Sequence, residues 1–211
     1  GSGADNSVIQ IFDVTNFKNI EQVASFNSRE IDTNTLALLV ARLGSRYNTA
    51  LVSGERNGVG AGFFDTLSNV FEYDNTVNFK NKEEMADRPG IYSTNNNKID
   101  ACLWAKSLLS MSIHLPEYTK VTIRENNTCY EMEYFESRTL NRTVTYAASK
   151  NNHDDFVMSF IWAMFAIKLD MAENYLLIMI QSLKKKVQVL DCIIDANERI
   201  YSIIRKTIGM I

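Results

Sequence analysis

The segment His153-Asp154-Asp155-Phe156-Val157-Met158-Ser159 sets two adjacent carboxylates and one of the chain's two histidines directly before a long apolar run. Neighbouring carboxylates repel unless a cation, hydrogen-bond donors or water compensates, and the positive end of a helix dipole favours negative charge at its start. A divalent cation is one compensation. The alternative is that Asp154 or Asp155 caps the helix running through Ala163 to Leu169. Two other acids have a comparable setting. Glu55 follows the short apolar stretch Thr49 to Ser53, and Asp5 lies in a Gly-x-Gly-x-Asp turn before the first β-branched segment. Hard divalent cations prefer oxygen donors, and Mg2+ typically takes one or two carboxylates together with waters and substrate phosphate oxygens. Two such ions can activate water and stabilise the leaving oxygen of a phosphodiester displacement. Taken jointly, Glu55, Asp154, Asp155 and Asp5 suggest a two-metal nuclease site for Mg2+ or Mn2+. Taken singly, Glu55 also reads as a solvated strand-end acid and Asp5 as a turn former.

The elements that must position these residues follow from periodicity. Val8 to Val14 and Gln22 to Phe26 are extended candidates joined by a turn over Asp13 to Asn19. Asp32 or Thr33 caps a helix whose Leu36, Leu39, Val40 and Leu43 recur at helical spacing. Thr49 to Ser53 reads as a buried strand, and a second short helix follows Gly58, Gly60 and Gly62 through Phe63, Phe64, Leu67 and Val70. Asn75 to Arg88 is polar and loop-like. Asn95 to Asn97 offer caps for a helix from Lys98 to about Ser110, with Ile99, Leu103, Trp104 and Leu108 on its apolar side. Ile113-His114-Leu115 reads as a brief edge strand, with His114 a strand residue rather than a ligand. Val121 and Ile123 prefer strand, and Asn127 to Phe135 suits a short helix. Thr143 to Ala147 is a late strand before the His-Asp-Asp helix, whose Phe160, Trp162, Met164 and Phe165 are core residues. Beyond it, Leu176 to Ile194 carry a helical apolar stripe. Ligand-binding groups of open α/β sheets gather beyond the carboxyl ends of strands, which gives Asp5, Glu55 and the Asp154-Asp155 pair added weight. The expected architecture is α/β, layered, with helices on a sheet.

At 211 residues with 45% hydrophobic and 22% charged composition, the chain is long and apolar enough for one sizeable core. A net charge of −3 removes the simplest argument for nucleic-acid binding, a strongly basic surface, so any DNA contact must come from local basic residues. Cys102, Cys129 and Cys192 are odd in number and widely spaced, which supports neither a disulfide framework nor a zinc knuckle. No leader or membrane span is expected from the hydropathy pattern.

Three blocks together resemble the nuclease domain of the large terminase subunit of tailed bacteriophages, of the T4-like myovirus type. Gly1-Ser2-Gly3-Ala4-Asp5-Asn6-Ser7 leading into Val8 to Asp13 looks like the turn and second strand after that family's first acidic residue. Ser53-Gly54-Glu55-Arg56-Asn57-Gly58-Val59-Gly60 is similar to its strand-end acidic block, and His153 to Ser159 to its third. Pro89-Gly90-Ile91-Tyr92 through Lys98 also looks like the family's approach to its next helix.

The resemblance implies an RNase H-like mixed central sheet flanked by helices over residues 1–170, followed by a C-terminal helical tail, 171–211. It implies a two-metal endonuclease that cuts concatemeric double-stranded DNA on a viral packaging complex in the host cytoplasm, with portal and small terminase subunit as partners. Glu55 and Asp154 would be metal ligands, Asp155 a neighbouring ligand or cap, Asp5 an accessory acid, and His153 a metal or phosphate contact. Arg56, Arg88 and Arg142 are the candidate DNA contacts. Lys184-Lys185-Lys186 reads as a solvated helix face. The family's first catalytic Asp belongs to a strand upstream of the Gly-x-Gly-x-Asp turn, so the expectation is an N-terminally truncated piece with weak or absent cleavage. No Gly-x-x-x-x-Gly-Lys-Ser/Thr loop is present, so the packaging ATPase of an intact large terminase is not expected here. Two other readings are a non-catalytic assembly module docking through its C-terminal helices, and a resolvase or transposase of the same broad fold.

Overall fold

The computed structural model describes residues 6–79, 88–140 and 143–170. The first β-branched run forms β1 (Ser7–Asp13), which returns antiparallel as β2 (Asn19–Ser28). Asp13 makes the turn between them by accepting the Thr15 backbone N–H at 2.9 Å, and the Asn19 N–H reaches the Asn16 carbonyl. Asp32 then starts α1 (Thr33–Arg46), accepting from the Asn34 and Thr35 N–H groups at 3.0 Å each. The glycine-rich stretch leads into α2 (Val59–Asn69). Next come β3 (Asn78–Phe79), β4 (Gly90–Ile91) and the long α3 (Asn95–His114), opened by a reciprocal capping box between Thr94 and Asn97. The chain continues through β5 (Lys120–Thr122), α4 (Asn126–Tyr134), β6 (Phe135–Leu140) and β7 (Thr143–Ala148). A last helix, α5, covers residues 155–170.

The described strands do not form the single mixed central sheet expected from the sequence. They form three small sheets. The first has the order β1-β2-β5, with β5 parallel to β2; the second is the parallel pair β3-β4; the third is the antiparallel hairpin β6-β7. The expected strand at Thr49–Ser53 is reduced to bridges from Val52 to Thr76 and from Glu55 to Ile91. Asn48 and Thr49 have φ of 58° and 54°, a left-handed entry that no regular strand accommodates. The polar stretch from Asn75 is not wholly loop, since β3 lies within it.

Ile113-His114 is not an edge strand. Both residues continue α3 by a last turn, and Ile113 is 73% exposed because the helix has outrun its packing surface. Leu103 likewise faces out, while α3 packs through Ala101, Cys102, Ala105 and Leu108. The β6 strand was not expected at all, because its hydrophobic content is low and its partner β7 supplies the pairing.

One part of the core joins α1 and α2 through Ala37, Val40, Ala41, Phe64, Leu67 and Tyr73, with Ile9 and Val52 packed against it. The other is α5. Its Phe156, Val157, Phe160, Ile161, Trp162, Met164 and Phe165 are all buried, as a helix that is apolar around most of its circumference must be. Phe12 of β1 meets Phe160 edge-on at 5.8 Å, and Phe79 of β3 meets Phe165 at the same distance. A buried polar relay adds direction to this packing. The Gln10 amide donates to the Phe156 carbonyl, the Gln22 amide donates to Gln10, and Gln22 accepts from the Arg124 and Glu125 N–H groups. Gln22 is 2% exposed, so each unmade bond in this relay would carry a full desolvation cost.

The chain divides into two compact units, Gly1–Ile167 and Lys168–Ile211. The apolar stripe Leu176 to Ile194 and the Lys184-Lys185-Lys186 run lie outside the described residues. No helix among the described residues is long and apolar enough to cross a membrane.

Candidate active site

The start of α5 is built from three elements. Asp154 occupies the N-cap position, its carbonyl receiving the Met158 N–H at 2.8 Å. An N-cap Asp ordinarily turns its carboxylate back onto the next free N–H groups, but here another residue does so. Glu131 of α4 accepts from the Phe156 N–H at 2.7 Å and the Val157 N–H at 3.0 Å. Among the described residues no donor engages the Asp154 carboxylate, which is half-buried. The reading of Asp154 as a side-chain cap is therefore corrected. Asp155 is held from the residue just before β1, where the Asn6 backbone N–H and side-chain amide donate to its Oδ2 at 2.9 and 3.4 Å. His153 is exposed beside them.

Glu131 is the functional residue that sequence reading missed. It is 7% exposed, and burial holds its carboxyl above the usual glutamate range. The Val157 and Phe156 N–H groups pull the other way, while the charges of Asp155 and Asp154 push in the same direction as burial. Its partners lie 25 and 26 residues downstream, beyond the reach of any local capping pattern. Asp154 also lies within electrostatic reach of α3. Burial pushes the Cys102 thiol up to about 11, with Lys98 opposing and Asp154 adding to the rise.

Glu55 has a different support. The Ile91 N–H bonds the Gly54 carbonyl and the Arg56 N–H bonds the Ile91 carbonyl, both at 2.8 Å, so the backbone on either side of Glu55 is fixed. Ser53 donates to the Trp162 carbonyl at 3.1 Å, fastening this segment to α5. Asn57 exchanges two hydrogen bonds with the Ser93 backbone just before α3. The Gly60 Cα lies against the Glu55 carbonyl so closely that an added Cβ would overlap the oxygen. Gly60 thus serves the Glu55 backbone by leaving it clearance. The Glu55 carboxylate itself is exposed.

Of the other expected contacts, Arg56 is 7% exposed, with its guanidinium 5.9 Å from the Tyr92 ring centroid. Arg88 is exposed, and Asp5 and Arg142 lie outside the described residues. The donors present fit a hard divalent cation in kind, since Glu55 and Asp154 offer carboxylate oxygens that no described hydrogen bond occupies. They do not fit in number by themselves. Among the described residues no three of His, Cys, Asp and Glu come close enough together to hold an ion.

The fold, with its helices and small sheets, is similar to that of large terminase nuclease domains. Solved structures with this likeness include three crystal structures of the large terminase nuclease from thermophilic phage G20c. With bound magnesium, that structure matches at a TM-score of 0.57 and 17% identity over 78% of this chain and 76% of its own. With bound cobalt, it matches at 0.57 and 16% identity over 77% and 75%. A third structure of the same nuclease matches at 0.53 and 15% identity over 77% and 76%. No protein family and no curated protein matches the sequence.

Proposed function

We propose that this chain is a metal-dependent DNA endonuclease domain of a viral packaging terminase, of the T4-like kind, that cuts concatemeric double-stranded DNA. The observation that carries the reading is the division of labour at α5: Glu131 satisfies the helix N–H groups, which leaves the Asp154 carboxylate available at the positive end of the helix. The likeness of fold to a nuclease bound to magnesium or cobalt supports the metal class. Asp154 and Glu55 are the proposed ligands, with Asp155 and Asp5 as neighbouring acids and His153 as a phosphate or metal contact. Mg2+ or Mn2+, two ions in the complete site, would supply an activated water and charge neutralisation at phosphorus. The chain's own residues fix where this happens. Asn6 restrains Asp155 and the Gly54 to Arg56 ladder restrains Glu55, while Arg88, which is exposed, is a proposed contact to the DNA backbone together with Arg56 and Arg142. The proposed setting is the packaging complex in the host cytoplasm, with portal and small subunit as partners.

Nicking of supercoiled plasmid by the 211-residue chain, together with calorimetric Mn2+ binding, tests the proposal. Weak nicking is expected, and Asp154→Asn or Glu55→Gln should reduce it by roughly a hundredfold or more, the scale for removing a group that stabilises the transition state. Both substitutions should also weaken Mn2+ binding with the circular dichroism unchanged. Mn2+ binding and nicking that ignore both substitutions would reject the site.

A further inference from the structure

A cleft of about 410 Å³ opens between Asn6 just before β1, the end of β2, α4 and the turn before α5. It shares Asn6, His153 and Phe156 with the start of α5, so whatever fills it lies next to Asp154 and Asp155. Its lining has an unusual chemistry for a site beside so many acids. Five of the lining residues are asparagines, Arg29 stands among them, and Glu131 is the one acidic member. That carboxylate is turned onto the Phe156 and Val157 N–H groups, and the Asp155 Oδ2 is occupied by Asn6. The Glu131 and Asp155 carboxylates are thus engaged within the protein, and Asp154 does not line the cleft.

Tyr130 and Tyr134, one helical turn apart on α4, also line the cleft, with ring centroids 5.0 Å apart and planes inclined at 55°. They are 57% and 37% exposed, because α4 packs through Thr128 and Glu131 instead. Exposed aromatic faces beside a polar cleft form a stacking surface, and every nucleobase has a π-face to lay on one. Asparagine carboxamides both donate and accept, as base edges require. Arg29 supplies the cation for a phosphate. Its Nε donates to the Asn6 Oδ1 at 3.3 Å, which ties it to the residue that also restrains Asp155.

We propose that this cleft seats one unpaired nucleotide of a single DNA strand, its base stacked on one ring of the Tyr130 and Tyr134 pair and edged by the other, and its phosphate at Arg29, directly beside the phosphodiester presented to Asp154. The inference rests on the nuclease reading and adds a substrate subsite to it. The cleft offers its tyrosines to a single base, whereas the bases of an intact duplex are stacked on one another and present no free face. The subsite therefore favours frayed or flipped ends over intact double helix.

Fluorescence anisotropy of a labelled oligothymidine, measured with EDTA and no divalent cation, tests this apart from cleavage. Tyr130→Ala with Tyr134→Ala should weaken binding by roughly five- to a hundredfold, the range for losing a base stack. Arg29→Gln should weaken it and flatten its salt dependence, and the blunt duplex of matching length should bind less tightly than the single strand. All three positions are at the surface of the cleft, so melting temperatures should be preserved. Equal binding by wild type and all variants, tighter binding of the duplex, or no binding of either would each overturn the subsite. If Asp154→Asn and Glu55→Gln abolish nicking while the cleft variants bind DNA as wild type, the subsite fails and the nuclease stands. If nicking ignores Asp154 and Glu55, the nuclease reading fails whatever the cleft binds.

Discussion

Asp32 and Asp154 occupy the same position on two helices, α1 and α5. Each carbonyl accepts the N–H four residues on, Leu36 at 2.9 Å and Met158 at 2.8 Å. Their side chains have opposite fates. The Asp32 carboxylate bonds the Asn34 and Thr35 N–H groups and the Thr35 hydroxyl, and it is consumed by its own helix. At Asp154 the corresponding work is done by Glu131, which reaches in from α4. The comparison teaches that residue type and helix position do not decide whether a carboxylate is structural. What decides is whether some other group satisfies the helix end first.

The largest effect that could break this comparison is an exchange of consequences. Asp154→Asn should abolish metal-dependent nicking and leave the melting temperature nearly unchanged, whereas Asp32→Ala should lower the melting temperature and leave Mn2+ affinity intact. Loss of stability at position 154 comparable to that at position 32 would show that Asp154 is a cap after all.

Glu131→Ala comes next. It strands two N–H groups in a buried setting, and a loss of about 1–3 kcal/mol in denaturant unfolding is expected. Glu131→Gln should recover most of it, because the amide oxygen can accept the same two bonds. A Gln variant as unstable as the Ala variant would mean that charge, not hydrogen bonding, holds the helix start.

A smaller effect sharpens the comparison through pH. The Asp32 carboxyl lies below its ordinary value, chiefly through the Thr35 side-chain hydrogen bond, so its stabilisation is present above the usual aspartate range and fades as pH falls through the folded-state pKa. Glu131 lies above its ordinary value of 4.5, chiefly through burial. Its unfolded form gives up the proton first, so the folded state loses ground as pH rises from that value through the folded-state pKa. Wild type minus Asp32→Asn should therefore gain stability with rising pH, and wild type minus Glu131→Gln should lose it. Two slopes of the same sign would contradict the environments described for the two caps.

The smallest effect concerns thiols. Cys129 is exposed, while Cys102 is buried and pushed to about 11. Since thiolate is the reacting form, a maleimide at mildly alkaline pH should modify Cys129 quickly and Cys102 only on unfolding. Mass spectrometry of the peptides distinguishes them.

The parts of the fold legible in the sequence are those fixed by near neighbours. The β1–β2 pair, α1 with its Asp32 start, and the apolar face of α5 all follow from periodicity and caps within a few residues. Thr94 and Asn97 open α3 earlier than the expected Lys98, a difference of one turn. What could not be read depends on contacts distant in sequence. Glu131 meets α5 across 25 residues and Gln22 meets Arg124 across 102. Glu55 and Asp154 were visible as acids at element ends. That Asp154 is released from capping, Asp155 restrained by Asn6 and Arg56 buried against Tyr92 needed the fold.

The glycines at 58, 60 and 62 make a final distinction. Gly62 has open space around its Cα, Gly58 needs its left-handed φ of 55°, and Gly60 leaves no room above the Glu55 carbonyl. In a library randomised at all three, survivors should drift freely at 62 and stay monotonous at 60. A position with no side chain would then be as informative a marker of the acidic strand end as the glutamate itself, because what it conserves is clearance.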